Sequence, residues 1–179
     1  MKNKILKKLI TIFINLFFTN LVLAQNIEFK ATDIEFFQNQ NLTVAKNGIV
    51  IIKEDKISVE GNEIKYFKDK SLLLIEEGKI FKSDKNIEIT SNNIEYDIDK
   101  SNLILKGKVK IKDKNNNLAA NSSEIEYDVI NQSITSKTES EIFDDFGNIY
   151  KVKEFEYSLE KKVIKLTELD ALDANKNSF

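Results

Sequence analysis

Four oxygen-bearing side chains follow one another at the spacing of a calcium-binding loop. They are Asp113, Asn115, Asn117 and Glu124. Such a loop needs glycine at its sixth position for a sharp turn, and here that position is Leu118. The flanking segments also alternate between polar and apolar residues in the manner of strands rather than helices. We therefore interpret the segment as a turn between strands and predict no metal site.

The residue types that carry most enzyme chemistry are missing from the chain. Its 179 residues include no histidine and no cysteine, which excludes His-based triads, thiolate nucleophiles, disulfides and Cys/His metal sites. The acidic pairs Asp97/Asp99 and Asp144/Asp145 fall in polar segments that are typical of solvated turns. No serine lies in a G-x-S-x-G elbow, and the five glycines form no phosphate-binding loop. We predict that the protein is not an enzyme and uses no cofactor.

The first 24 residues have the composition of an export signal. Four lysines precede an apolar run from Leu9 to Phe18, and Val22-Leu23-Ala24 supplies a small-residue cleavage pattern. We predict a signal peptide over residues 1–24, a mature repeat domain over residues 25–179 and a periplasmic location. The alternative is an uncleaved membrane anchor, against which the polar Thr19-Asn20 break argues. Loss of the four lysines changes the formal net charge from −2 to −6, which argues against a nucleic-acid partner.

A three-residue motif with a charged residue between two apolar ones recurs five times. The copies are Ile34-Glu35-Phe36, Ile64-Lys65-Tyr66, Ile94-Glu95-Tyr96, Ile125-Glu126-Tyr127 and Phe155-Glu156-Tyr157. Successive copies are 30, 30, 31 and 30 residues apart. Repetition at this period indicates that one supersecondary unit is stacked several times along the chain.

The segments around each motif alternate with period two and are rich in Ile, Val and aromatic residues, which predicts half-buried strands. Before each motif the apolar positions change parity, as from Ile57 and Val59 to Ile64 and Tyr66. Because side chains alternate between the two faces of a strand, both halves can face one core only if the strand bulges or bends between them.

After each of the first three motifs, the apolar positions keep one parity through a glycine, as in Leu72, Leu74, Gly78 and Ile80. We expect the glycine to relieve crowding where the strand bends. Together the two segments predict an all-β fold with about 30 residues per two-strand unit. Stacking such long, bent antiparallel strands gives an elongated β-jelly roll, a folded-over sheet or "β-taco" that is open along one edge.

The repeats resemble the OstA-like family of lipopolysaccharide-transport proteins. The family pattern, A-x-x-I-x-Y followed by L-x-L-x-G-x-V-x-I, is visible as Ala31 to Phe36 with Val44 to Ile52, and again as Ser91 to Tyr96 with Leu103 to Ile111. The resemblance covers residues 27 to 179. Two kinds of member are relevant, the small periplasmic LptA-like bridge protein and the periplasmic N-terminal domain of LptD. Length favours the first. Repeats that run up to the C-terminus favour the second, to which we lean, and its outer-membrane barrel would then follow this segment.

The resemblance implies a periplasmic component of lipopolysaccharide transport that carries acyl chains in an apolar β-groove. It also implies docking to other jelly-roll transport proteins by stacking of edge strands, and an association with the outer membrane if a barrel follows. An exported structural or adhesive repeat protein without lipid is the alternative. The candidate groove residues are Phe36, Tyr66, Leu74, Tyr96, Leu105, Val109, Ile111, Tyr127 and Tyr157. The alternative for each of them is to fill the core between two sheets, and the sequence leaves open which apolar face lines the groove.

Overall fold

The structure is a computed structural model that describes residues 27–172. The strands are β1 (Ile27–Phe37), β2 (Leu42–Ile52), β3 (Ile57–Phe67), β4 (Leu72–Lys82), β5 (Ile87–Asp97), β6 (Asn102–Asp113), β7 (Leu118–Asp128), β8 (Ser133–Ser136), β9 (Ser140–Phe143), β10 (Ile149–Ser158) and β11 (Val163–Leu172). Within this range no helix has the length and apolar character that a membrane span requires. The predicted signal peptide lies outside the described residues.

The strands form one antiparallel sheet in which each strand pairs with its neighbours in the sequence. The short strands β8 and β9 together occupy one place, between β7 and β10. Backbone pairing thus follows the order of the chain, as in a repeat protein built by stacking. This topology confirms the predicted all-β fold of repeated antiparallel strands.

Short turns separate the strands at regular intervals. Most of them end in a residue with a left-handed backbone, namely Asn41, Lys56, Ser71, Asn86, Ser101, Asn117, Gln132 and Lys162. A left-handed residue at the end of a short turn lets the chain enter the next antiparallel strand without splaying the pair. Most of the full strands have 11 residues, and with its four-residue turn such a strand accounts for half of the 30-residue repeat.

In each odd-numbered strand from β1 to β7, the inward-facing positions change between odd and even residue numbers near the middle of the strand. In β3 the buried residues are Ile57, Val59, Gly61, Ile64 and Tyr66. Two successive residues between the halves, Asn62 and Glu63, are not buried. Such an interruption of the alternation bends the strand while both halves keep their apolar residues on one side. The parity change that the sequence predicts for this segment is confirmed.

In β2 and β4 the prediction that parity is retained is wrong. The buried residues of β4 are Leu73, Ile75, Gly78, Ile80 and Lys82. Glu77 has a φ of 48°, and this left-handed residue turns the rest of the strand over, as Asn47 does in β2 with a φ of 47°. Parity is retained in β6, where Gly107 and Lys108 both have positive φ and one extra residue bulges opposite β7.

The positions where the strands change face form a line across the sheet, which we call the crease. On its inner side lie small residues, namely Ala31, Gly48, Gly61, Gly78, Ser91, Ser122 and Ser140, followed by Val152. A Cβ atom on Gly61 would lie 2.3 Å from Cγ2 of Ile75, and one on Gly78 would lie 2.5 Å from Cδ1 of Ile94. In β3 and β4 the crease accepts only glycine because inner side chains of the next strand fill the angle of the fold, and in β2 a Cβ atom on Gly48 would lie 2.6 Å from Cβ of Ala31 in the preceding strand.

The sheet is folded over along the crease, so that the two ends of its strands meet. A straight strand of this length would span about 36 Å. Asp55 lies in the turn between β2 and β3, at one end of the strands, and Ser101 lies in the turn between β5 and β6, at the other. Yet the Oγ atom of Ser101 is 3.1 Å from Oδ1 of Asp55. We call the two halves of the folded sheet its walls, and the line where their ends meet the seam.

Candidate functional site

The inner face of one wall carries a row of aromatic residues that crosses the whole sheet. The row runs through directly paired positions Phe36, Thr43, Tyr66, Leu73, Tyr96, Leu103, Tyr127, Ile134, Tyr157 and Ile164. The aromatic residue of each repeat motif therefore alternates with a residue from an even-numbered strand or β8. Because the period of the repeat equals two strands and two turns, each motif returns to the same height on the wall.

Eight of the nine candidate groove residues from the sequence lie on this inner side. Five of them form the aromatic row, and Leu105, Val109 and Ile111 come from the two halves of β6, on either side of the crease. The opposite wall contributes a matching apolar row, namely Phe29, Val50, Val59, Ile80, Ile89, Ile111, Ala120, Ile142 and Tyr150. The structure thus brings residues from every repeat onto two facing apolar surfaces.

Leu74, the ninth candidate, lies on the outer face of the sheet. It pairs laterally with Lys65 and Glu95, while its neighbours Leu73 and Ile75 are buried on the inner side. The reason is the left-handed Glu77, which shifts the inner positions of this strand by one residue relative to the prediction. Leu74 therefore shares no surface with the other eight residues.

The two apolar surfaces are packed against each other along most of their length, and their ends meet at the seam, so the prediction that the folded sheet is open along this edge is wrong. Tyr96, Leu105, Val109 and Tyr127 are fully buried. At the β1 edge the packing ends, and the Phe36 side chain is 73% exposed. Burial is lost there because, within residues 27–172, no strand lies beyond β1 to supply the opposite wall.

The seam is closed at one position by Asp55. The Tyr96 hydroxyl donates a hydrogen bond to Oδ2 of this carboxylate, and the Ser101 hydroxyl lies 3.1 Å from Oδ1. Burial and the nearby negative charge raise the pKa of Tyr96 far above its usual range, so the phenol stays a proton donor. We call this arrangement the first clasp.

A second clasp lies two strand pairs further along the seam. The Tyr157 hydroxyl donates to Oδ2 of Asp113 at 2.6 Å, and Nδ2 of Asn116 lies 2.8 Å from the same oxygen. Asp113 also accepts backbone N–H bonds from Asn115 and Asn116 through Oδ1, at 3.0 and 3.1 Å. The segment that has a calcium-loop spacing in the sequence is thus a turn whose leading carboxylate holds the other wall. Burial and Asp113 raise the pKa of Tyr157 well above its usual range.

Between the clasps, the seam again has a tyrosine and an aspartate, but the two do not bond to each other. Tyr127 is fully buried, and its hydroxyl finds no hydrogen-bond partner in the described part of the chain. The corresponding carboxylate, Asp84, is 2.9 Å from Nζ of Lys82, whose side chain is only 7% exposed. Although burial opposes the shift, the bond from Lys82 lowers the pKa of Asp84. The lysine thus holds the carboxylate that would otherwise be available to Tyr127.

Sequence reasoning missed these seam residues because it treated the charged turns as solvated. A signal was nevertheless present, since Asp55, Asp84 and Asp113 recur at intervals of 29 residues. Because the repeat is 30 or 31 residues long, this interval keeps an acidic residue at the same end of the strands but at a shifting place, namely third in turn 53–56, second in turn 83–86 and last in β6. A tyrosine ends four of the five motifs, and only the folded structure shows that the two series meet.

The folded sheet and its two facing apolar surfaces define a β-jelly-roll repeat protein with an apolar interior. A family model described as "Lipopolysaccharide-assembly, LptC-related" matches residues 23–169. The chain belongs to this LptC-related family of lipopolysaccharide assembly. The match confirms the lipopolysaccharide-transport class that the repeats indicate, whereas the choice between an LptA-like and an LptD-like chain stays a prediction.

A comparison with solved structures found that of LptH, described as the LptA homologous periplasmic component of the conserved lipopolysaccharide transport device from Pseudomonas aeruginosa. It is 12% identical to this chain, and the alignment covers 83% of this chain and 94% of LptH with a TM-score of 0.33. A comparison with curated protein sequences found no match.

Proposed function

We propose that the protein is a periplasmic component of lipopolysaccharide transport that holds the acyl chains of the lipid between the two walls of its folded sheet. Membership of a lipopolysaccharide-assembly family supports the substrate. The single observation that carries the proposal is the aromatic row, which extends an apolar surface across every repeat from β1 to β11. A surface that is continuous along the stack suits a long apolar ligand better than a compact one.

The energetics of such a carrier follow from the hydrophobic effect. Each methylene of an acyl chain costs about 0.8 kcal/mol when it is exposed to water, so several chains together cannot cross the periplasm unprotected. Between the walls, contacts of Leu105 or Ile111 with the facing wall would be replaced by contacts with acyl carbon. Because apolar contacts replace apolar contacts, this exchange is nearly neutral, and no covalent step is needed. The function that we propose is accordingly that of a carrier and not of an enzyme.

Partners of the same fold would extend the groove from protein to protein. The edge strand β1 has no buried residue, and Phe36 and Phe37 are 73% and 40% exposed. A strand added to this edge would pair with its free backbone groups and cover Phe36. We propose that another jelly-roll transport protein docks there, and that an outer-membrane barrel is reached through such a partner or through a continuation of the chain.

Export would place the protein in the compartment where this transport takes place. We propose that residues 1–24 direct secretion and that the mature protein begins at Gln25. Mass spectrometry of the periplasmic fraction would then find that N-terminus. Recovery of the uncleaved chain from the membrane fraction would support the anchor instead.

A matched pair of phenylalanines tests the carrier function. Phe36 lies at the exposed end of the inner aromatic row, whereas Phe81 is exposed to 36% on the outer side of β4. Each is replaced in cells by the photo-crosslinking amino acid p-benzoylphenylalanine, which both sites accommodate because neither is buried. We expect lipopolysaccharide adducts from position 36 and none from position 81.

Buried positions extend the same test into the stack. Leu105 lies on the inner face of β6, and Leu74 lies on the outer face of β4. Each is replaced by p-benzoylphenylalanine in the same way. Adducts at Leu105 and not at Leu74 support carriage between the walls. If neither Phe36 nor Leu105 gives adducts, and cells tolerate depletion of the protein, the structural or adhesive alternative holds instead.

A further inference from the structure

We propose that the two clasps at the seam form a latch that keeps the empty protein closed and must open for a lipid to enter between the walls. The proposal rests on the proposed carrier function. It concerns how the interior is reached, and it assigns Tyr96, Tyr157, Asp55 and Asp113 a role in loading.

The two margins of the folded sheet are held in different ways. At the crease the chain itself runs from one wall into the other, within a single strand or from β8 to β9, so this margin cannot part without unfolding. At the seam the walls meet end to end, and the bonds that cross it come from side chains, as between Asp55 and Tyr96 and between Asp113 and Tyr157. If the walls separate at all, they separate at the seam and hinge about the crease.

The clasps are the part of the closed state that a lipid cannot replace. Apolar contacts between the walls can be exchanged for contacts with acyl chains at little cost. The Asp55 carboxylate accepts hydrogen bonds from Tyr96 and Ser101 across the seam. These bonds are lost when an acyl chain separates the walls, and hydrocarbon offers no donor to replace them. The clasps therefore favour the closed state specifically when the interior is empty, which is the behaviour of a latch.

The seam between the clasps shows how its strength is distributed. Tyr127 occupies the same row as Tyr96 and Tyr157, but among residues 27–172 its hydroxyl has no hydrogen-bond partner, since Lys82 holds Asp84 within its own wall. The middle of the seam is thus closed by packing alone. Tyr127 therefore offers a matched control. Removing its hydroxyl changes the size of a buried side chain, as the same change does in Tyr96 or Tyr157, but breaks no hydrogen bond across the seam.

The first experiment locks the latch. The chain has no cysteine, so the double substitution Asp55→Cys and Ser101→Cys introduces a single possible disulfide across the seam, at side chains that already lie in contact. Benzophenone at position 36 reports uptake of purified lipopolysaccharide. We expect the oxidised protein to give at least about tenfold fewer adducts than the reduced protein, and reduction to restore them. Equal labelling in the two states would overturn the latch.

The second experiment weakens the latch without any lipid. Spin labels at Glu54 and Asp99, in turns on opposite sides of the seam, report the distance between the walls. We expect Tyr96→Phe combined with Tyr157→Phe to raise the population of longer distances about tenfold per lost bond, and Tyr127→Phe to leave the distribution as in the wild type. The latch is wrong if the double variant stays as closed as the wild type, or if Tyr127→Phe opens the seam equally.

The two proposals can fail separately. If wild-type and reduced proteins give no lipid adducts, while the spin labels still show that the clasps control wall separation, the carrier function fails and the latch remains as a property of the fold. If lipid is taken up equally by locked and unlocked protein, the carrier stands and the latch fails.

Discussion

The crease is built from glycine in the first half of the sheet and from serine in the second. Gly48, Gly61 and Gly78 occupy the inner positions of β2, β3 and β4. Ser122 and Ser140 occupy the same line in β7 and β9. Both residue types are small, but the space around them and the bonds that they make are different.

In the glycine half the limiting factor is volume. A Cβ atom on Gly48 would lie 2.6 Å from Cβ of Ala31, and one on Gly61 only 2.3 Å from Ile75. Contacts this short do not occur between carbon atoms in folded proteins. The large inner side chains of this half, such as Ile75 and Ile94, therefore fill the angle of the fold and leave the crease residue no side chain.

In the serine half the limiting factor is hydrogen bonding. Oγ of Ser122 lies 3.0 Å from the carbonyl oxygen of Glu124, and Oγ of Ser136 lies 3.1 Å from that of Thr138. Each hydroxyl thus approaches the carbonyl two residues ahead, inside the bend, and the two hydroxyls are also 2.9 Å apart. A bend that disturbs the ladder between strands leaves backbone groups to be satisfied, and here the serine side chains supply the donors.

The comparison teaches that one bend can be stabilised by two separate means. Close packing of branched side chains requires the absence of a side chain at the crease, whereas a hydroxyl network requires its presence. Ser91, at the border between the halves, already uses the second means, with Oγ 2.9 Å and 2.8 Å from the carbonyl oxygens of Asn93 and Lys106.

The largest effect is expected when a methyl group is added in the glycine half. Gly61→Ala places a carbon against buried Ile75, and the free energy of unfolding should fall by up to about 3 kcal/mol, as overpacking of a close-packed core requires. Urea denaturation followed by circular dichroism measures the change. Glu60→Ala, at the exposed neighbouring position, should stay within about 0.5 kcal/mol of the wild type. A Gly61→Ala protein as stable as the Glu60→Ala protein would mean that volume does not limit the crease.

A smaller loss is expected when a hydroxyl is removed in the serine half. Ser136→Ala removes one hydrogen-bond partner from each of the buried hydroxyls of Ser122 and Ser140, together with its own bond to the Thr138 carbonyl, and should cost about 1–2 kcal/mol. Ser123→Ala, which removes an exposed hydroxyl, serves as the control and should cost less than about 0.5 kcal/mol. Removing all three buried hydroxyls together should cost less than the sum of the single losses, because each bond between two of these hydroxyls is then lost once rather than counted in two single variants. Strict additivity would show that the hydroxyls do not act as a network.

The same comparison explains which features of the fold could be predicted from the sequence and which could not. The period of 30 residues and the parity change in strands such as β3 are visible as alternation, because burial follows side-chain periodicity. The parity change in β4 depends on a left-handed backbone at Glu77, a residue type that gives no such signal, whereas the glycine that follows drew the prediction to the wrong place. The clasp joins Asp55, between β2 and β3, to Tyr96 in β5. Which strands face each other across the seam depends on the folded sheet, and the local alternation of residues does not predict it.

The smallest effect concerns carboxylates in the turns of the two halves. In the first half Asp84 faces the buried ammonium of Lys82, whereas in the second half Asp144 is held by Asn148 and Tyr150, which are neutral. Both have a lowered pKa, although burial opposes the shift in each. A carboxylate with a lowered pKa stabilises the fold above the pKa of the unfolded chain, and that contribution is lost as the pH falls through the folded value.

Asp84→Asn should therefore cost about 1 kcal/mol at neutral pH, and Asp144→Asn should cost less, because only the first removes the negative charge beside a buried ammonium, which keeps its bond to the carbonyl oxygen of Asp55. The gap between the wild type and Asp84→Asn should close as the pH falls through the lowered pKa of Asp84, which lies below the usual value of an aspartate, because the wild-type carboxylate is then itself protonated. Urea denaturation over a series from pH 7 to about pH 2 measures both differences. If the gap persists at the lowest pH, the amide destabilises this turn through its shape rather than its charge, and the contrast between the charged first half and the neutral second half does not hold.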